Sequence, residues 1–266
     1  MGPNLEDVEI GPATTSAAGF HWEPSPRHVR ALFNGETVAD SRRVMLLIEP
    51  RRLPVFYFPF EDVRRDWMEP TDYHTFSPLK GEASYWSLRV GDRAAENAAW
   101  SYPNPPADGP AVAGYIAFYW NKLDSWYEED ERAYAHARDP YKLIDTRQSS
   151  RHVRIVLGET TIADTRRPLL LFETGLPTRY YIPQEDVRMD LLESSDRVTE
   201  CAYKGQATHW HAKIGDQMYQ NIAWTYRQPT TLAAPIAGMI CFYNERLDAL
   251  YDDDVLMTKP KTQWSE

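Results

Sequence analysis

The chain has 266 residues, of which 42% are hydrophobic, 26% charged and 13% aromatic, and its net charge is −10. Nine Trp, 16 Tyr and nine Phe exclude a chain that stays unfolded, and two cysteines exclude a disulfide framework or a Cys-rich zinc cage. No apolar run approaches the roughly 20 residues of a membrane helix.

The charge is −8 over residues 1–130 and −2 over 131–266. Neither half offers a basic footprint for a polyphosphate backbone or an anionic bilayer, so nucleic acid and membrane are not expected as partners. The N-terminus (MGPNLEDVEI) is acidic and lacks a charged-then-apolar signal, which points to a cytoplasmic location.

In chain order, residues 1–26 read as a lead-in. Val29, Ala31 and Phe33 then alternate with polar residues, and Asn34-Gly35 turns this strand into a partner at 37–40. A second strand pair follows at 44–49 and 55–58, around a basic, Pro-containing loop. Pro59 opens the one helical signal, predicted over 60–69, with Glu61 and Asp62 in the first turn and Val63 and Trp67 four apart. Strands at 84–90 and 96–102 alternate around Gly91-Asp92, and a Pro/Gly-rich loop at 103–110 leads to a strand at 112–119.

A shift of 124 residues aligns the chain with itself without a gap, giving 42 identities in 104 positions between 27–130 and 151–254. A repeat of this length is a whole domain, not a solenoid unit. The organisation expected is therefore a first β domain at 27–130, a connector at 131–150, a second β domain at 151–254 and a tail at 255–266. Tyr134, Tyr141, Leu143 and Ile144 make the connector a segment that packs rather than a free linker. The class is mainly β, each domain having six or seven short antiparallel strands and one short helix.

The series Arg151-His152-Val153-Arg154, Asp164-Thr165-Arg166, Tyr180-Tyr181-Ile182-Pro183 before Glu185-Asp186-Val187, Lys204-Gly205, Ala223-Trp224-Thr225-Tyr226 and Ile236-Ala237-Gly238 resembles the domain of unknown function 427 family. The resemblance covers both repeats nearly end to end. It implies a β-tent fold similar to the Mss4-like group, under a family name that mentions nucleotidyl transfer. The family's Cys-Pro-Tyr-Lys-Gly step reads Ser77-Pro78-Leu79-Lys80-Gly81 in the first copy and Cys201-Ala202-Tyr203-Lys204-Gly205 in the second, so a role for that Cys would belong to the second copy alone. Nucleotidyl transfer needs paired carboxylates for metal ions and backbone donors for phosphates. No Gly-Ser followed by paired acids and no P-loop is present. The single acidic run of that kind, Asp252-Asp253-Asp254, matches Glu128-Glu129-Asp130 and reads as a solvated end.

Both copies keep a Lys-Gly pair before a strand, where Lys80 or Lys204 could grip a carboxylate or phosphate, or simply sit in an exposed turn. Asp40 and Glu49 (Asp164 and Glu173) end strands whose apolar neighbours would desolvate a carboxylate and suit it to base work. The competing and favoured account pairs these acids with Arg30 or Arg42, and with Arg154 or Arg166. Trp86, Trp100 and Tyr102, with Trp210, Trp224 and Tyr226, alternate at period two, as core or as an aromatic cage for a flat or cationic ligand. Cys201, His209 and His211 stand where the first copy has Ser77, Tyr85 and Ser87. They could form a metal set or a Cys–His pair, although the spacing is common and surface histidines are the plainer reading.

The expectation is a small-molecule-binding protein, with whether it is an enzyme left open. Glu173, Lys204, Asp164 and Cys201 are the catalytic candidates. Lys80, Glu49, Asp40, Trp86, Trp100, Tyr102, Trp210, Trp224, Tyr226, Arg30 and Arg154 are the ligand-binding candidates. No cofactor is expected, self-association as a homo-oligomer is left open, and the alternative is a non-enzymatic scaffold for a protein partner.

Overall fold

The computed structural model describes residues 19–265, so most of the expected lead-in lies outside the described residues. Two compact units divide between Asp139 and Pro140. Each is mainly β and, among the described residues, contains eleven strands in the same order.

The first unit holds β1 (His21–Pro24), β2 (Val29–Phe33), β3 (Glu36–Ser41), β4 (Met45–Ile48), β5 (Val55–Pro59), β6 (Met68–Ser77), β7 (Gly81–Val90), β8 (Arg93–Ser101), β9 (Tyr115–Phe118), β10 (Ser125–Glu128) and β11 (Glu131–Ala133). Seven of these make one sheet in the order β1-β4-β5-β9-β8-β7-β6, and four make a second in the order β11-β10-β2-β3. The second unit repeats this with β12 (Ile144–Gln148), β13 (Val153–Leu157), β14 (Thr160–Thr165), β15 (Leu169–Glu173), β16 (Arg179–Ile182), β17 (Leu192–Cys201), β18 (Gly205–Ile214), β19 (Gln217–Thr225), β20 (Ile240–Phe242), β21 (Ala249–Asp252) and β22 (Val255–Leu256). The segments read as lead-in and connector thus supply strands: β1 from the former, β11 and β12 from the latter.

Period two places the core. Val29, Ala31 and Phe33 of β2 join Phe56 and Phe58 of β5, Leu88 of β7 and Ile116 and Phe118 of β9 in one buried cluster between the sheets. The alternate residues Leu47, Tyr57, Ala83, Tyr85 and Ala117 point the other way. They form a second buried cluster on the outer face of the seven-stranded sheet. The second unit divides its core in the same manner.

The helix predicted over 60–69 does not form. Two 3-10 turns, Phe60–Asp62 and Arg65–Trp67, are separated by an extended Val63, and Met68 already begins β6. The reason is tertiary. Val63 is held in an antiparallel bridge to Ala39, and the Arg64 N–H donates to the Val38 carbonyl at 2.9 Å, so a helical Val63 would leave that pairing unmade.

One irregularity interrupts the ladder between β7 and β8. Asn97 has φ +48°, and the register of β7 with β8 shifts beside it, between Trp86 and Leu88. Its N–H donates to Ser87 Oγ at 3.1 Å, and its side-chain oxygen accepts from Thr71 at 2.7 Å. Asn221 repeats this with φ +48°, donating to His211 Nδ1 at 3.0 Å. After the bulge Trp100 and Tyr102 point outward, while Ala98 and Ala99 both face the inner core. Asn97→Ala is expected to cost about 1–3 kcal/mol, because alanine gains no side-chain bond in the left-handed region. Asn97→Gly should cost less, and urea unfolding of the two variants checks the order.

Candidate functional site

The outer face of each seven-stranded sheet gathers the polar candidates that the structure brings together. In the first unit Glu49 follows β4, and Lys80 sits in the turn between β6 and β7. Lys80 is only 5% exposed, and its ammonium donates to Glu49 at 2.6 Å. The ammonium also lies 5.6 Å from the Tyr102 ring centre. Among the described residues it has no second acceptor, although an ammonium carries three donors. Beside it runs an aromatic series. The Trp100 indole N–H donates to the Tyr57 hydroxyl at 3.4 Å, Trp100 packs on Tyr119 at 4.5 Å, and Trp22 meets Tyr57 edge-on at 5.4 Å. Burial, with the neighbouring Tyr85 hydroxyl and the Glu49 carboxylate, pushes the Tyr102 hydroxyl up to about 12.

In the second unit Lys204 donates to Glu173, which Lys142 also approaches at 3.0 Å. Burial works against the charged Glu173, but the two ammonium groups outweigh it and hold the carboxyl below its ordinary value. Trp224 N–H donates to the Tyr181 hydroxyl at 3.3 Å, the counterpart of Trp100 and Tyr57.

The two faces then diverge. Arg179 stands at the position of Val55 and Glu245 at that of Asn121, and they form a buried bidentate pair with both bonds at 2.7 Å. The guanidinium lies 5.6 Å from the Trp224 ring and 5.4 Å from that of Trp264, while Thr262 donates to Glu245 at 2.7 Å. The C-terminal segment therefore lies on the outer face of its own unit. Trp224 is 7% exposed as a result, whereas Trp100 stays half-buried.

Several expectations are corrected. Asp40 and Asp164 belong to β3 and β14 in the four-stranded sheets, where they are exposed. Each binds a histidine, His28 at 2.5 Å and His152 at 2.8 Å, and neither an arginine nor the Lys–Glu pair. Arg30 and Arg154 lie on the same sheets, over Tyr127 and Tyr251. Trp86 and Trp210 pack against the inner cores, away from Trp100 and Trp224. Asp252 is not a solvated end: it is buried and bonded to Arg151 at 2.7 Å. Glu128 is likewise buried, beside Arg27 and Arg138. The ion-pair account of Glu49 and Glu173 holds in kind, but the partners are Lys80 and Lys204, because the strand ends meet the β6–β7 and β17–β18 turns.

Cys201, His209 and His211 do not converge. Among the described residues no group of three His, Cys, Asp or Glu is placed to hold a metal ion. His211 supports the Asn221 bulge, and His209 bonds Thr199 at 2.9 Å and stacks parallel to Tyr243. Cys201 is half-buried and belongs to the outer-face cluster that includes Tyr226 and Tyr181. Sequence reasoning missed Tyr57, Tyr181, Arg179, Glu245 and Trp264. The two tyrosines were detectable as identities between the repeats. The Arg179–Glu245 pair spans 66 residues without any pattern.

Residues 21–129 and 145–253 both match the family described as Domain of unknown function (DUF427). The chain belongs to this family. No curated protein matches the chain. Its two DUF427 copies share the Lys–carboxylate pair and the Tyr–Trp hydrogen bond, and they differ in what covers them.

His209, where the first DUF427 copy has Tyr85, carries a pH signature. Burial and then the positive Arg197 and Arg246 lower its imidazole from 6.5 to about 4. The unfolded chain takes up this proton first as pH falls. The stability contributed by neutral His209 is therefore complete above 6.5 and drains away towards about 4. His209→Tyr is expected to flatten the stability of the second unit across that interval, as read by urea midpoints at a series of pH values. Trp264→Ala should cost about 1–3 kcal/mol through lost packing on Arg179 and Trp224, and should shift the tryptophan emission to the red.

Proposed function

We propose that the protein binds a small organic ligand on the outer face of the seven-stranded sheet, with the first DUF427 copy as the accessible site. One observation carries this reading: a buried Lys80 ammonium that uses one acceptor, at the edge of an aromatic face that remains half-open. Such an arrangement suits a flat apolar group on Trp100 and Tyr119 with an anionic or carbonyl oxygen on Lys80. Glu49 positions the ammonium and neutralises it in the absence of a ligand. In the second copy Lys142 adds to the pair and the tail covers Trp224, so that copy serves as a scaffold.

The same proposal takes the fold as a β-tent of the Mss4-like kind, on the family resemblance. No helix among the described residues is long and apolar enough to cross a membrane. Nucleotidyl transfer is not part of the proposal, because the acids that such chemistry needs are tied up separately with His28, His152, Arg151 and the lysines. A second reading, a scaffold for a protein partner, is favoured by Phe76, 74% exposed on the edge strand β6.

Native against denaturing mass spectrometry of the full chain tests the first reading. An adduct lost on denaturation is expected, with occupancy at least about tenfold lower in Lys80→Ala. An adduct retained equally by that variant would overturn the assignment. So would a bare chain that also shows no Lys80-dependent signal with aromatic carboxylates in ligand-observed NMR.

A further inference from the structure

A cleft of about 350 Å³ opens elsewhere on the first DUF427 copy, lined by Phe60, Glu61, Arg65, Met68, Trp86 and Gly114. It exists because the chain leaves β5 through two 3-10 turns instead of a helix. These turns carry Phe60, Glu61 and Arg65 past the inner-core face of β7, where Trp86 stands at mid-strand. The Phe60 N–H donates to the Gly114 carbonyl at 3.2 Å, which fixes the opposite wall, and a Cβ on Gly114 would meet nothing within 4 Å. The volume falls within the range of small-ligand sites, about 300–1,000 Å³.

The lining combines three chemistries. Phe60 and Trp86 meet edge-to-face at 5.7 Å and, with Met68, present an apolar wall. Arg65 lies 5.7 Å over the Phe60 ring, and among the described residues no carboxylate pairs with it. This sets it apart from Arg64, Arg43 and Arg89, each of which is bonded to an acid. Glu61 reaches Arg43 only at 4.0 Å, and no ion pair joins it to Arg65. A positive and a negative group therefore flank an aromatic wall without neutralising one another.

The second copy lacks this combination. Gln184, Met189 and Leu192 stand where the first has Phe60, Arg65 and Met68. There the Gln184 side chain bridges across and donates to the Gly238 carbonyl at 2.6 Å.

We propose that this cleft is a separate site for a small aromatic zwitterion of the amino-acid kind. The ring lies against Trp86 and Phe60, the carboxylate meets the Arg65 guanidinium, and the ammonium meets Glu61. Each charged contact is charge-assisted, which gives the site discrimination against molecules that carry one charge only.

Calorimetric titration of the full chain with L-phenylalanine tests this, using 3-phenylpropanoate as the analogue without the ammonium and 2-phenylethylamine as the one without the carboxylate. Saturable, Arg65-dependent binding of one L-phenylalanine per chain is expected, and the Arg65-dependent binding of each analogue should be at least about tenfold weaker. Arg65→Met, which installs the second copy's residue, and Glu61→Gln should each weaken L-phenylalanine by about tenfold or more. Both residues are exposed, so the thermal midpoint of each variant should match the parent chain. Lys80→Ala should leave this affinity within about twofold, which separates this site from the one on the outer face. The absence of saturable heat, equal Arg65-dependent binding of all three molecules, or unchanged L-phenylalanine affinity in Arg65→Met would each overturn the proposal.

Discussion

In each half an interior strand of the larger sheet is buried on both sides. Tyr57 and Phe58 in β5, and Tyr181 and Ile182 in β16, point to opposite faces and are almost fully enclosed. Within each unit a four-stranded sheet covers one of those faces, and among the described residues of that unit no second sheet covers the other. That face is closed instead by large side chains with polar tips, the tyrosines and tryptophans, whose hydroxyl and indole groups bond one another. Aromatics of this kind supply apolar area while keeping a polar handle that must be satisfied. The buried lysine and its carboxylate follow from the same need, because the strand end and the turn meet where the aromatic cover stops.

The pair is poor evidence for stability in its own right, since desolvating two charges offsets much of their attraction. Its meaning lies in position. A lysine held by one carboxylate keeps donors that the protein itself does not use. In the second copy the surroundings answer that surplus differently, with Lys142 sharing the carboxylate and an arginine–glutamate pair locked between two indoles.

Much of this was legible from residues alone. The duplication, the alternating strands and the repeated Lys-Gly step and strand-end acid all leave a local or repeated trace, although the sequence matches the acids with arginines and not with Lys80 and Lys204. What escaped was decided by distant partners. Residues 60–69 have the composition of a short helix, but Val63 is claimed by Ala39 and the segment stays extended. Asp40 looks equivalent to Glu49 in sequence, as an acid ending an apolar strand, yet the two lie on different sheets. The alternation of Trp86 with Trp100 suggested a shared face. Across the strands Trp86 pairs with Ala99 and Tyr85 with Trp100, so the two indoles stand on opposite sides of the sheet.

The tail that closes the second copy has a practical consequence for anyone who handles the protein. An affinity tag or fusion partner joined directly after Trp264 begins almost at the indole that packs over Arg179. A bulky attachment at that point would pull on the same few residues that bring Thr262 to Glu245. Purification through such an attachment would then report on a loosened second copy. A spacer between Trp264 and the attached partner, or a tag removed before measurement, keeps that seal in its own state.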